Sequence, residues 1–78
     1  MKTWQVTCPM EFPYIKATSR EIRNQAPVNM ILTAKEIGRM LIAFPRGTLQ
    51  SREFTMTWRS IHGTNGTFIE VEIAVEPS

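Results

Sequence analysis

The stretch FTMTWRSIHGTNGTFIEVEIAV, residues 54–75, decides how the chain folds. In its first half Phe54, Met56 and Trp58 alternate with Thr55, Thr57 and Arg59. In its second half Ile69, Val71, Ile73 and Val75 alternate with Glu70, Glu72, Ala74 and, just beyond, Glu76. A period of two is that of a strand with one dry face and one wet face, so the stretch reads as two strands. His62-Gly63-Thr64-Asn65-Gly66-Thr67 lies between them and turns the chain back as a hairpin. Asn65-Gly66 is a strong short turn signal, because a type I′ turn needs positive φ at both central residues. A two-residue turn there sets Trp58 opposite Ile73 and Arg59 opposite Glu72. A four-residue Gly63–Gly66 loop sets Trp58 opposite Val71 and Arg59 opposite Glu70. Either register matches apolar with apolar and gives Arg59 a carboxylate; a three-residue loop breaks that parity.

An isolated hairpin is rarely stable in water, and the chain offers a third strand. From Thr3 to Cys8, Trp4, Val6 and Cys8 alternate with Thr3, Gln5 and Thr7, and Pro9 ends the run because it cannot donate to a ladder. Trp4 and Trp58 then supply much of the core.

Two helices are expected between these strands. Thr33-Ala34-Lys35-Glu36 is a capping box, with Leu32 and Ile37 at the staple positions around it. Ile37, Met40, Leu41 and Phe44 follow at the spacing of one helical face, while Lys35 and Arg39 lie one turn apart on another. Gly38 costs about 1 kcal/mol against alanine in mid-helix and so marks a close approach, here assigned to the sheet. Pro45 and Gly47 stop this helix. A second capping box, Thr18-Ser19-Arg20-Glu21, starts a short helix of about two turns that ends before Pro27, with Ile22 inward. Residues 10–17, with Pro13 between Phe12 and Tyr14, read as an extended crossing that either pins its rings on the core or exposes them. Residues 28–32 are left open between helix and extended entry. The expected fold is therefore α+β, one domain over residues 1–78: a three-stranded antiparallel sheet with one short and one longer helix on one face.

At 78 residues the chain suffices for one modest core, and its hydrophobic content of 42% is that of a folded domain. A lone cysteine, Cys8, leaves no internal disulfide and fits a reducing, cytoplasmic setting. Lys2-Thr3-Trp4-Gln5 leads into no apolar signal region, and no run is long enough to span a membrane. Net charge is +2, unevenly spread: residues 2–59 hold all nine Lys and Arg against four Glu, and residues 60–78 hold three Glu and no base. Such polarity suits an acidic protein or a nucleic acid as partner.

Catalytic chemistry has little to work with. There is one histidine, one cysteine and no aspartate. Cys8 lies on the inward side of a strand, where a thiol is inert, and His62 sits at the turn. One His, one Cys and scattered glutamates make no closed metal site. No catalytic residue, metal, cofactor or small-molecule substrate is expected.

Two binding readings follow. The first is a small regulatory protein, inhibitor or adaptor, that occupies a surface of a larger protein. Its candidate contacts are Phe12 and Tyr14, the basic residues Arg20, Arg23, Lys35 and Arg39, and Phe68, an apolar tip on the acidic face of the hairpin. Phe68 has packing against residues 10–13 as its other reading. Open strand edges offer a further surface, for a partner or for a homodimer. The second reading rests on residues 33–41, TAKEIGRML, which resemble the first helix of a helix-turn-helix pair. Residues 48–52, TLQSR, look like the start of a recognition helix, and the hairpin resembles the wing of winged-helix domains. That resemblance implies Thr48, Gln50, Ser51 and Arg52 in a major groove, with Lys35, Arg39 and Arg46 on phosphates. Pro45 inside the intervening turn, and the few residues left before Phe54, place the protein-binding reading first.

Overall fold

The computed structural model describes residues 2–25 and 32–76. The chain runs β1 (Lys2–Pro9), α1 (Phe12–Gln25), α2 (Ala34–Ala43), β2 (Arg46–Gln50), β3 (Phe54–Gly63) and β4 (Gly66–Val75). It is an α+β fold whose sheet has four antiparallel strands in the order β1-β4-β3-β2, not the three expected.

The hairpin takes the Trp58–Val71 and Arg59–Glu70 register, closed by Gly63 opposite Gly66. Two residues, Thr64 and Asn65, make the turn. Neither has positive φ; that conformation falls to Gly66 (φ 121°), where the absence of a Cβ removes the strain. The Arg59 guanidinium donates to Glu70 Oε1 at 3.1 Å on the wet face. β1 pairs along its whole length with Phe68–Val75 of β4, with Trp4 opposite Ile73, Val6 opposite Val71 and Cys8 opposite Ile69.

The fourth strand comes from the segment expected to open a recognition helix. Arg46–Gln50 pairs with β3, Gly47 opposite Trp58 and Leu49 opposite Met56. The return is short: the Ser51 amide donates to the Phe54 carbonyl at 2.9 Å. Thr48 and Gln50 therefore belong to a strand, and Ser51 and Arg52 to the connection that follows it, so among the described residues no second helix of a helix-turn-helix follows α2. Glycine at one of the two inward positions, with Leu49 at the other, is what hides the alternation. A Cβ on Gly47 would stand 2.3 Å from Trp58 Cζ2, because the indole lies across the glycine. There Trp58 is buried, and its Nε1 donates to the Phe44 carbonyl at 3.3 Å, tying the end of α2 to the sheet.

α1 is the other departure. It begins at Phe12 and covers the residues expected to be an extended crossing. Pro13 falls in the first turn, where its fixed φ suits a helix and its missing N–H has no intrahelical partner to lose. The Ile15 amide donates to the Glu11 carbonyl at 2.9 Å. The buried stripe is Ile15, Thr18, Ser19 and Ile22, so two hydroxyl residues occupy the middle of what is otherwise an apolar face. Thr18 is thus in mid-helix and buried, and the capping box expected at Thr18 and Glu21 does not form. The one at Thr33 does: Thr33 Oγ1 accepts from the Glu36 amide at 3.2 Å, and the Thr33 amide donates to Glu36 Oε1 at 3.1 Å. Residues 28–31, expected as helix or extended entry, lie outside the described residues.

One core joins the layers: Ile15 and Ile22 of α1, Ile37 and Leu41 of α2, and Phe54, Met56, Trp58, Ile69, Val71 and Ile73 of the sheet. Trp4 packs on it half-buried. Both helices therefore cover one sheet face. The other face carries Gln5 and Thr7, Glu70 and Glu72, Thr57 and Arg59, and Arg46, Thr48 and Gln50.

Gly47→Ala tests the indole contact. It is expected to lower the stability measured by urea denaturation by about 1–3 kcal/mol, the usual cost of forcing a methyl into a packed site. Gly63→Ala, whose Cβ would meet nothing closer than 3.7 Å, should stay within about 0.5 kcal/mol of the parent. Equal stability of all three proteins would mean that Trp58 does not rest on Gly47.

Candidate functional site

The two helices approach closely at two small residues, Ser19 and Gly38. A Cβ on Gly38 of α2 would lie 3.1 Å from Ser19 Oγ and 3.6 Å from Ile15 Cγ2. The close approach of Gly38 is thus to α1, not to the sheet as expected. Ser19 is buried, and its hydroxyl donates to the Ile15 carbonyl one turn back at 2.7 Å, which leaves it satisfied without reaching across.

Above this contact, on the side of the helix pair turned away from the sheet, runs a groove of about 500 Å³. α1 lines it with Phe12, Ile15, Lys16, Ser19 and Arg20, and α2 with Ala34, Lys35, Gly38, Arg39 and Ile42. Ile15, Ser19, Ala34 and Gly38 make a floor of small or aliphatic groups. Phe12 and Ile42 are 73% and 56% exposed, large apolar side chains left in water at the groove. Lys16 and Arg20 are spaced i, i+4 on one helix, and Lys35 and Arg39 i, i+4 on the other. The single ion pair among the described residues is Arg59–Glu70, so none of the four groove cations is matched by a carboxylate there.

The structure thus gathers Phe12, Arg20, Lys35 and Arg39, four of the seven residues named for a protein partner. Tyr14 and Phe68 meet elsewhere, in a shallow depression shared with Pro9, Met10 and the turn at 65–67. Phe68 is half-buried there, opposite Ile61 on β3 and Pro9 on β1, rather than a free apolar tip. Arg23, half-buried in the last turn of α1, stands apart from the groove.

The residues named for nucleic acid do not form one surface. Lys35 and Arg39 lie in the groove, whereas Arg46, Thr48 and Gln50 project from the uncovered sheet face on the other side of the core, with Ser51 and Arg52 at the connection beyond. Arg46 stands directly opposite Arg59, and the two border a second depression with Thr48, Thr57, Glu70 and Glu72. Like charges across a strand pair repel, and Glu70 offsets one of them. His62 Nδ1 and Thr67 Oγ1 are 3.2 Å apart across the hairpin, and Cys8 is buried. The described residues hold no cluster of three metal-ligating side chains and no helix long and apolar enough to cross a membrane.

Lys16, Ser19 and Ile42 were not singled out from sequence. Lys16 and Arg20 do carry a signal, an i, i+4 cation pair, but it is legible only once residues 12–17 are known to be helical. Comparison of the chain with protein-family models, with curated proteins and with solved structures finds no match.

The two phenylalanines separate by burial. Phe68→Ala should cost about 1–2 kcal/mol of stability, roughly half of a full core truncation, and Phe12→Ala less than about 0.5 kcal/mol. Urea midpoints measure both, and the reverse order would place Phe12 in the core and Phe68 at the surface.

Proposed function

We propose that this protein is a small non-enzymatic regulator that acts by binding a larger protein, and that the groove between α1 and α2 is where it binds. The observation that carries this reading is the pairing of an apolar floor with four unmatched cations. Exposed Phe12 and Ile42 supply apolar area to bury, which is the main source of association energy. The cations favour encounter with an acidic surface and disfavour basic ones. The floor residues Ile15, Ser19 and Gly38 are buried in the helix contact, but the wall residues Phe12, Lys16, Arg20, Lys35, Arg39 and Ile42 are exposed and take no part in the core.

A second reading, nucleic acid, draws on the same cations, because rows of Lys and Arg also meet phosphates. It lacks a helix at residues 48–52 for a major groove, and its remaining candidates lie on two sides of the sheet. Protein therefore stands first.

The test is capture from a lysate of the native host, with and without nuclease. The parent should retain a defined protein, the double variant Lys35→Glu with Arg39→Glu should retain at least tenfold less, and Arg46→Ala with Arg52→Ala should retain as much as the parent. Nuclease should change nothing. Retention that survives the groove variant would remove the groove from the account, and retention lost on nuclease treatment and on changing Arg46 and Arg52 would favour nucleic acid.

A further inference from the structure

We propose that the groove takes an α-helix of the partner, one with an apolar stripe flanked on both sides by carboxylates. This inference rests on the protein-binding reading and names the class of segment that fits.

Length sets the first limit. The lining runs from Phe12 to Arg20 on α1 and from Ala34 to Ile42 on α2. Eight residue steps along a helix make about 12 Å, so the walls match about two turns of a docked helix. An extended segment of the same span would be only about four residues.

Backbone chemistry sets the second. Both walls are helices whose interior amides and carbonyls are bonded within themselves, and the open strand edges of the sheet, on β1 and β2, lie outside the groove. An extended peptide laid on the apolar floor would therefore bury amides with no partner, at a cost. A helix brings its own hydrogen bonds. Gly38 adds no side chain to the floor, where Ser19 and Ile15 close against it, so the larger side chains of an incoming stripe meet only small or aliphatic groups there.

Charge sets the third. Each wall presents two cations one turn apart, Lys16 and Arg20 facing one flank and Lys35 and Arg39 the other. A docked helix meets both rows when it carries Asp or Glu at one-turn spacing, about 5.4 Å, on each side of its apolar stripe. Phe12 and Ile42 then cover the stripe from the two walls. This is helix-in-groove recognition with anchors at i, i+3 or i+4, and i+7.

The probe is a synthetic 16-residue peptide with Leu at those stripe positions and Glu on both flanks. It is titrated into ¹⁵N-labelled protein at about 50 and 200 mM salt. Shifts should concentrate at Gly38, Ser19 and their neighbours, and a peptide of identical composition in scrambled order should bind at least tenfold more weakly. Lys16→Glu with Lys35→Glu changes one cation on each wall at exposed positions. Its amide spectrum should remain that of a folded protein, its affinity for the Glu peptide should fall at least tenfold, and it should gain affinity for the same peptide with Lys flanks.

Equal binding of ordered and scrambled peptides, or shifts confined to β2 or to the open sheet face, would overturn the proposal. So would tighter engagement of the same amides by phosphatidylserine vesicles or by a mixed-sequence oligonucleotide than by the peptide. If host capture depends on the groove while the peptide shows no preference, the docking site stands and the helical occupant does not. If capture ignores the groove, both fall.

Discussion

The groove depends on how closely α1 and α2 approach at Gly38 and Ser19. Any larger pair there would push the helices apart, flatten the groove and expose the edges of Ile15 and Leu41. Glycine in mid-helix disfavours the helix locally, and serine places a hydroxyl where an aliphatic group would pack. Each local cost is offset. The Thr33–Glu36 capping box stabilises the start of α2. The Ser19 hydroxyl closes on the Ile15 carbonyl and so leaves no buried polar atom unpaired. Local preference is thus sacrificed at one point for geometry, as at functional sites in other folds.

The sheet makes that geometry possible by burying one face only. Its dry side is continuous from Leu49 through Met56 and Ile73 to Trp4, which provides a platform for both inward helix stripes. At the β2 edge Trp58 does the work of two residues, filling the space above Gly47 and holding the Phe44 carbonyl at the end of α2. The wet side is polar and partly self-matched, with Gln5 donating to Glu72 and Arg59 to Glu70. Exposed pairs of that kind contribute little stability. Their arrangement leaves unmatched positive charge on the helix side, opposite the acidic strand β4.

Residues obeying a strict period were legible. The hairpin, β1 and α2 with its cap could be read because apolar residues recur at most of their inward positions, whereas the register was narrowed only to two and the hairpin strand that β1 joins was not read. α1 and β2 were misread for one shared reason: their inward positions include residues that are not apolar. Thr18 and Ser19 interrupt the stripe between Ile15 and Ile22, and their spacing to Glu21 imitates a helix start. Gly47 empties one of the two inward positions of a five-residue strand. Pro13 then counted against a helix, although at a first turn it favours one. Misplacing α1 also hid half of the groove, since Lys16 and Phe12 gain their significance from lying one turn apart from Arg20 and Ile15 on a helix.

Hydrogen–deuterium exchange of the protein alone and in complex with the captured partner tests the central claim most directly, because it reports protection residue by residue without altering a side chain. Added protection in residues 12–20 and 34–42, with the amides of β2 and of the connection at 51–53 unchanged, is the result expected of a partner seated between the helices. Protection that instead appears along β2 or across the Arg46–Arg59 depression, while both helices exchange as before, would contradict it.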